Sequence, residues 1–308
     1  MKITRRGFVR SLAACGSAGM ALRTVAVAPL YARLAHSAPD TDMPGGNMRF
    51  GLVTYMWGAD WDLPTLLANC KKCGALGVEL RTTHAHGVEP NLTEAQRQEV
   101  RARFADSGIV CVGIGSNERY DNPDPKVVRK AIEDTKDFVR LSHDIGGSGV
   151  KVKPDMFHPN VPREQTIEQI GKALNELGEY ASGFGQQVRL EVHGQCQELP
   201  TIKAIMDIAQ HESVGVCWNS NQADLNGEGL DHNFHLVARR FGETCHIHEL
   251  EDPKYPFARL FELLVKVDYG GWLLMEAASK PADRVQALGE QRKRFDHMLE
   301  SAQKAAAK

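Results

Sequence analysis

The sequence predicts an α/β protein built as a single (β/α)8 TIM barrel, and three of its features carry that prediction. From Met48 onward, short apolar runs alternate about eight times with longer stretches of helical spacing, separated by brief Gly, Asn, Asp and Pro breaks. Such alternation is what parallel βα units leave in a sequence. No Gly-x-Gly-x-x-Gly turn follows the first run, which argues against an open dinucleotide-binding sheet. Glu191, Asn219, His248 and Glu276 also recur inside or at the end of apolar runs, at intervals of 28, 29 and 28 positions. That interval is about one strand plus one helix.

Taken in order, Phe50 to Thr54 reads as the first strand and Pro64 to Cys73 as its helix, with Asp62 as N-cap. Gly77 to Leu80 and Thr93 to Ala105 form the second unit, with Asn91 as N-cap; Val110 to Ile114 and Pro125 to Asp144 form the third. Gly149 to Lys153 is followed by a helix over Glu164 to Ala181, and Val188 to His193 by Leu199 to Ala209. Val214 to Asn219 precedes a helix at Phe234 to Phe241, Thr244 to His248 one at Pro256 to Val267, and Trp272 to Glu276 one at Ala282 to Ala302. The barrel spans residues 46–303, and residues 304–308 read as a disordered tail. In a barrel the C-terminal ends of all strands meet on one face, so Glu191, Asn219, His248 and Glu276 can converge on one point. Carboxylates and imidazole in apolar strands are costly unless paired, protonated or bound to a cation. A divalent-cation site is the reading the set favours; for any one residue alone, a hydrogen-bonded loop anchor is the ordinary alternative.

With 308 residues, 42% hydrophobic and 25% charged, the chain can bury one barrel-sized core and needs no second domain. The formal charge is −2 and the basic residues are dispersed, which suggests neither a nucleic-acid groove nor a polybasic membrane patch. Small neutral or weakly charged substrates suit this surface better. Cys111, Cys217 and Cys245 fall in strands and read as small buried hydrophobes. Cys70-Lys71-Lys72-Cys73 has redox-motif spacing but lies at a helix C-terminus, before Gly74, where no helix start activates it.

Thr4-Arg5-Arg6-Gly7-Phe8-Val9-Arg10, followed by the mildly apolar Ser11 to Leu22, resembles a twin-arginine export signal. The resemblance implies a signal peptide over residues 1–38, passage through the twin-arginine export machinery in a folded state, and a periplasmic or otherwise exported mature chain starting near residue 38. Leu12-Ala13-Ala14-Cys15 also matches a lipid-attachment pattern, but little apolar sequence precedes it. No later apolar run approaches the ~18 residues of a transmembrane anchor.

Four pieces of sequence carry a wider resemblance. These are Gly77-Val78-Glu79-Leu80-Arg81, the Leu-Glu-Val run at Glu191, His246-Ile247-His248, and Gly271-Trp272-Leu273-Leu274-Met275-Glu276. Together they resemble the xylose-isomerase-like sugar isomerase and epimerase barrels over nearly the whole mature chain. In that family a Glu, an Asp, a His and a Glu bind Mn²⁺, Mg²⁺, Co²⁺ or Zn²⁺, and the two Glu residues face the sugar carbons. Glu191, His248 and Glu276 match by position. Asn219 stands where the family has Asp, and Gln222 where some members have His. An amide oxygen can still coordinate, but one negative charge is lost and affinity should fall.

The resemblance implies a divalent-metal-dependent isomerase or epimerase acting on a carbohydrate through an enediolate, with Glu191 and Glu276 as acid and base. It leaves a homo-oligomer open. The supporting candidates are His193, two residues beyond Glu191; Lys153, ending the fourth strand; His84, after the second; His246, on the same face as His248; and Trp57, which with Tyr55 could wall a sugar face. Each also has a structural reading as core, loop anchor or solvated side chain. Two rival functions differ in class: a lyase or hydrolase that cleaves 3-keto-glycosides by the same enolising chemistry, favoured by export, and a non-catalytic sugar-binding barrel. A nuclease of the related endonuclease type is disfavoured, since Asn219 and Gln222 replace two of the ligands it needs and the surface is not basic.

Overall fold

The computed structural model describes residues 43–307, so the expected signal peptide, its cleavage position and Cys15 lie outside the described residues. Eight parallel strands close on themselves: β1 (Arg49–Val53), β2 (Gly77–Arg81), β3 (Val110–Arg119), β4 (Gly149–Lys153), β5 (Gln187–Glu191), β6 (Val214–Asn219), β7 (Phe241–Ile247) and β8 (Trp272–Met275). Each pairs with the next, and β8 returns to β1 through Arg49 opposite Trp272. The helices between and after them are α1 (Leu63–Cys73), α2 (Glu94–Ser107), α3 (Pro125–Ile145), α4 (Arg163–Ser182), α5 (Leu199–Ile208), α6 (Gly229–Val237), α7 (Phe257–Lys266) and α8 (Arg284–Ala306). This is a (β/α)8 TIM barrel. No helix among the described residues is long and apolar enough to cross a membrane.

Asp62 caps α1 as expected, its carboxylate accepting from the Thr65 amide at 2.9 Å. Three local expectations are corrected. The cap of α2 is Thr93 rather than Asn91, because Thr93 and Gln96 exchange reciprocal bonds in a capping box that Asn91, two residues upstream, cannot make. Phe241 opens β7 instead of closing α6: its ring packs 5.9 Å from Trp218 and 5.2 Å from Phe234, an aromatic cluster that imitates helical spacing. The last helix continues to Ala306, three residues into the expected disordered tail, where alanines favour helix and Lys304 pairs with Glu300 one turn back.

Period-two alternation divides each strand's side chains between helices and barrel interior. Leu80, Val150, Leu190, Val216, Ile247 and Leu273 are buried in the main apolar core. Inside the barrel, Val53, Val112, Trp272 and Leu274 form a separate apolar cluster. The interior also holds Arg189, fully buried, whose guanidinium donates to Ser148 Oγ at 2.6 Å. Glu79, Lys151 and His246 occupy the interior nearer the C-terminal mouth. Gly115 makes room for Glu79: a Cβ there would lie 2.8 Å from Glu79 Oε1.

The loop after β6 is tied down where it leaves the barrel. Asn221 donates to the Val192 carbonyl at 2.9 Å, and buried Asp224 accepts from Tyr255 Oη at 2.6 Å and from the Asn221 amide at 3.0 Å. Burial pushes the Asp224 carboxyl up to about 8, against the opposing hydrogen bonds. A carboxyl raised in this way stabilises the fold fully below its unfolded value of 3.8, and that contribution is lost as pH climbs toward about 8. Asp224→Asn should therefore gain on the wild type as pH rises, by on the order of 1 kcal/mol per pH unit between about 5 and 8. Urea denaturation at several pH values measures it, and a difference independent of pH would refute the assignment.

Candidate active site

Glu191 ends β5, Asn219 ends β6, and Glu276 is the residue after β8, so all three reach the same face of the barrel. The Asn219 amide nitrogen donates to Glu191 Oε1 at 3.1 Å and to Glu276 Oε2 at 3.0 Å, holding the two carboxylates side by side. His246, fully buried on β7, places Nδ1 3.3 Å from Glu191 Oε1 and 3.6 Å from Glu276 Oε2. Its Nε2 faces Glu79 Oε1 at 3.2 Å. Lys151, buried on β4, donates to Glu191 Oε2 at 2.8 Å. Both bonds from Asn219 and the His246 contact reach Glu276 or Glu191 on oxygens next to each other; the side chain of Glu276 keeps 13% exposure, that of Glu191 only 1%.

The electrostatics follow from this packing. Burial alone would push the Glu191 carboxyl up, but Lys151 and then His246 outweigh it and hold the group well below the usual carboxylate range. Glu276 is lowered in the same way, burial being overcome chiefly by His246. Burial would lower Lys151 and His246, yet Glu191, then Glu79 and Glu276, raise Lys151 above its ordinary value, and Cys217, then Glu79 and Glu276, raise His246. The centre is therefore a closed cluster of three carboxylates, one ammonium and one imidazole.

His248, expected as a metal ligand, lies one residue beyond β7 and outside this contact network. Its Nδ1 is 2.9 Å from the Glu276 carbonyl oxygen and its amide donates to Ser220 Oγ at 3.0 Å. The imidazole that meets both glutamates is that of His246, expected only as a supporting residue. By distance, ligand-type atoms of Glu191, His246 and Glu276, all within 4.8 Å of one another, form a group that can hold a metal ion. The Asn219 carbonyl oxygen is buried and has no hydrogen-bond partner.

A second array stands at the mouth. Lys153 Nζ is 3.5 Å from His193 Nε2, and His193 Nδ1 is 2.8 Å from Asp155 Oδ1, which also pairs with Arg119. Asp155 has a left-handed backbone, φ 60°, fixed by Gln195 and Cys196 amides on its carbonyl. Burial, then Lys151, pushes the Lys153 ammonium below the usual lysine range. His84 Nδ1 meets Thr54 Oγ1 at 2.9 Å, and burial pushes its imidazole down to about 4, leaving a neutral ring. Trp57 is only 2% exposed, with its indole nitrogen donating to the Ser279 carbonyl at 2.8 Å, and it stands in the lining of the recess that Tyr55 borders. The exposed ring is Tyr55, at 40%, on a recess of about 350 Å³ shared with His84, Ser279 and Lys280. A larger cleft of about 1010 Å³, lined by Arg239, Arg240 and Val267, opens at the opposite end of the barrel and gathers no comparable acid–base group.

Lys151 and Asp155 are the functional candidates that the sequence reading passed over. The signal for Lys151 was present, since Val150-Lys151-Val152-Lys153 alternates and sends both lysines to the same face. Lys151→Met should cost about 3–5 kcal/mol, because Glu191 is left buried without its cation. Adding Glu191→Gln should recover most of that loss. Equilibrium urea unfolding of the two variants checks this, and a single variant as stable as wild type would show that the pair is not coupled.

A family model described as xylose isomerase-like TIM barrel matches residues 67–299. No curated protein sequence matches the chain significantly. Among solved structures, an L-ribulose 3-epimerase matches with a TM-score of 0.72 at 18% identity, over 84% of this chain and 97% of its own. A 3-keto-D-glucoside 4-epimerase from E. coli matches with a TM-score of 0.68 at 15% identity, over 81% and 99%. An IolI protein with a bound zinc atom gives 0.68 at 15% identity, over 83% and 99%. At such identities these likenesses bear on the fold, whereas the family model covers most of the barrel, including the strands that carry Glu191, Asn219, His246 and Glu276. The chain belongs to the xylose isomerase-like TIM barrel family.

Proposed function

We propose that the protein is a sugar isomerase or epimerase that enolises its substrate between Glu276 and Glu191. The observation that carries this reading is the convergence of two carboxylates from β5 and β8 on one amide, Asn219, at 3.1 and 3.0 Å. The L-ribulose 3-epimerase and 3-keto-D-glucoside 4-epimerase with the same fold support it, as does a D-psicose 3-epimerase from Clostridium cellulolyticum H10 solved with D-tagatose.

In the proposed reaction a carboxylate removes the proton from the carbon beside a carbonyl; the electron pair of that C–H bond forms the carbon–carbon double bond of the enediolate, and the carbonyl π pair moves onto its oxygen. Glu276 is the better placed base, being the more exposed of the pair, while both oxygens of Glu191 are engaged. Return of a proton to the opposite face of the same carbon epimerises it; return to the neighbouring carbon isomerises the sugar. Lys153, at the mouth and hydrogen-bonded toward His193, can donate to the developing oxyanion. Tyr55 and His84 border the recess where the rest of a sugar would lie.

The divalent cation that the family resemblance implies fits these residues in distance but not in charge. Glu191 is already neutralised by Lys151, both nitrogens of His246 face carboxylates, and Asn219 turns its NH₂ group toward the carboxylates. No step above is routed through a metal. The lyase reading, cleavage of a 3-keto-glycoside, shares the proton abstraction and draws support from the Lys153–His193–Asp155 array, which can protonate a departing oxygen.

Incubation in D₂O with ketoses and 3-keto-D-glucosides, followed by mass spectrometry, tests the proposal. The wild type should incorporate solvent deuterium into at least one of them with the carbon skeleton intact, and Glu276→Gln should slow exchange by roughly 100- to 10,000-fold. Release of an aglycone would favour elimination, and exchange in none of the sugars would remove the enolising reading.

A further inference from the structure

We propose that this centre carries its own cations: Lys151 and His246 stand where the resemblance implies a divalent metal, and the chain holds no resident metal ion. The inference rests on the enolising reading for its catalytic meaning, but its evidence is the hydrogen bonding of the cluster.

Both oxygens of Glu191, one oxygen of Glu276 and both ring nitrogens of His246 are already committed. Glu191 Oε2 accepts from the Lys151 ammonium at 2.8 Å, and Glu191 Oε1 accepts from Asn219 at 3.1 Å and faces His246 Nδ1 at 3.3 Å. Glu276 Oε2 accepts from Asn219 at 3.0 Å. His246 has carboxylate oxygens against both ring nitrogens, Glu191 on one side and Glu79 on the other. A neutral imidazole has one N–H and one lone pair, so it would turn that lone pair against a carboxylate; a ring with N–H on both sides satisfies both contacts. Such a ring has no lone pair left for a metal.

Asn219 makes the same point from the opposite direction. A carboxylate at the end of β6 would meet Glu191 and Glu276 with no proton to share, an arrangement that needs a cation between the three. The amide replaces that repulsion with two donated bonds. Counting formal charge, Glu79, Glu191 and Glu276 are set against Lys151 and the doubly protonated His246, all nine-tenths or more buried except the tip of Glu276. A divalent ion entering this space would stand beside an ammonium and an imidazolium. What remains for it is a single ionised oxygen, Glu276 Oε1, with two neutral atoms, the unpartnered Asn219 Oδ1 and the outer nitrogen of His248. In this arrangement Lys151 is a positioning residue, keeping Glu191 ionised and in register with Glu276 from below.

The test is metal uptake by the purified full chain. The wild type is dialysed against excess MnCl₂ or ZnCl₂, desalted and subjected to elemental analysis, with thermal melting followed in parallel. It should retain no stoichiometric metal, and its Tm should not move with Mn²⁺. Combining Asn219→Asp with Lys151→Met restores one carboxylate and removes one ammonium, and should convert the chain into a stoichiometric metal binder, with affinity tightened by roughly a hundredfold or more. Stoichiometric metal in the wild type that disappears in Glu276→Gln would overturn the proposal. The wild-type measurement stands even where the double variant fails to fold. Because uptake is measured without any sugar, it is independent of the deuterium exchange on which the enolising reading depends.

Discussion

The interior of this barrel depends on the ion pair between Lys151 and Glu191, 2.8 Å apart and both almost wholly shielded from water. Moving either charge out of water costs several kcal/mol, and the pair is tolerable because the second oxygen of Glu191 also finds partners nearby. Those partners are the rest of the centre. Asn219 and His246 complete Glu191, His246 is completed by Glu79, and Asn219 in turn fixes Glu276. No member can be removed without exposing another, so the functional group and the stabilising group of the barrel are the same set of atoms.

The architecture supplies what such a cluster needs. Parallel strands with a period of two send alternate side chains inward, so residues two apart stand at successive depths. On β4 the pair is Lys151 and Lys153, one bonded to Glu191 and the other directed at His193. At the end of β7, His246 on the strand and His248 one residue beyond it repeat the pattern, one facing glutamates and the other the Glu276 carbonyl. Gly115 gives Glu79 its space, and the apolar Trp272 and Leu274 close the interior beneath. The charged centre is thus insulated on one side by hydrocarbon and opens on the other to a mouth built from loops.

The barrel itself was legible because hydrophobic period and spacing are local properties, repeated eight times. Glu191, Asn219 and Glu276 were legible for a related reason: each ends an apolar run, where an uncompensated polar group is conspicuous. Depth within the barrel was not legible. Alternation sends both His246 and His248 inward and both Lys151 and Lys153, but which of each pair meets the glutamates depends on strand stagger around a closed sheet. How far Trp57 is covered was not legible either. An aromatic beside a strand end serves a mouth or a core equally well, and its indole nitrogen found the Ser279 carbonyl, more than two hundred residues away in the chain. The Phe234–Phe241 cluster misled the reading of α6 because aromatic packing across two elements imitates the spacing of one.

The two carboxylates, related by a shared amide, are not equivalent, and the difference bears on stereochemistry. A two-base epimerisation asks each carboxyl to accept a proton in one direction of the reaction. Glu191 does so only by weakening its bond to Lys151, which holds its proton affinity low, whereas Glu276 is constrained by Asn219 and His246 and reaches toward solvent. The asymmetry favours removal of the substrate proton by Glu276. It leaves the return step to whichever donor stands on the other face: Glu191 with Lys151 behind it, or the Lys153–His193 pair above it. In the first case the same carbon is inverted. In the second the proton arrives from the mouth, and the route opens to the neighbouring carbon or to a departing oxygen. The choice among these outcomes therefore lies in how Lys151 and Lys153 divide the work around Glu191, two residues apart on a single strand.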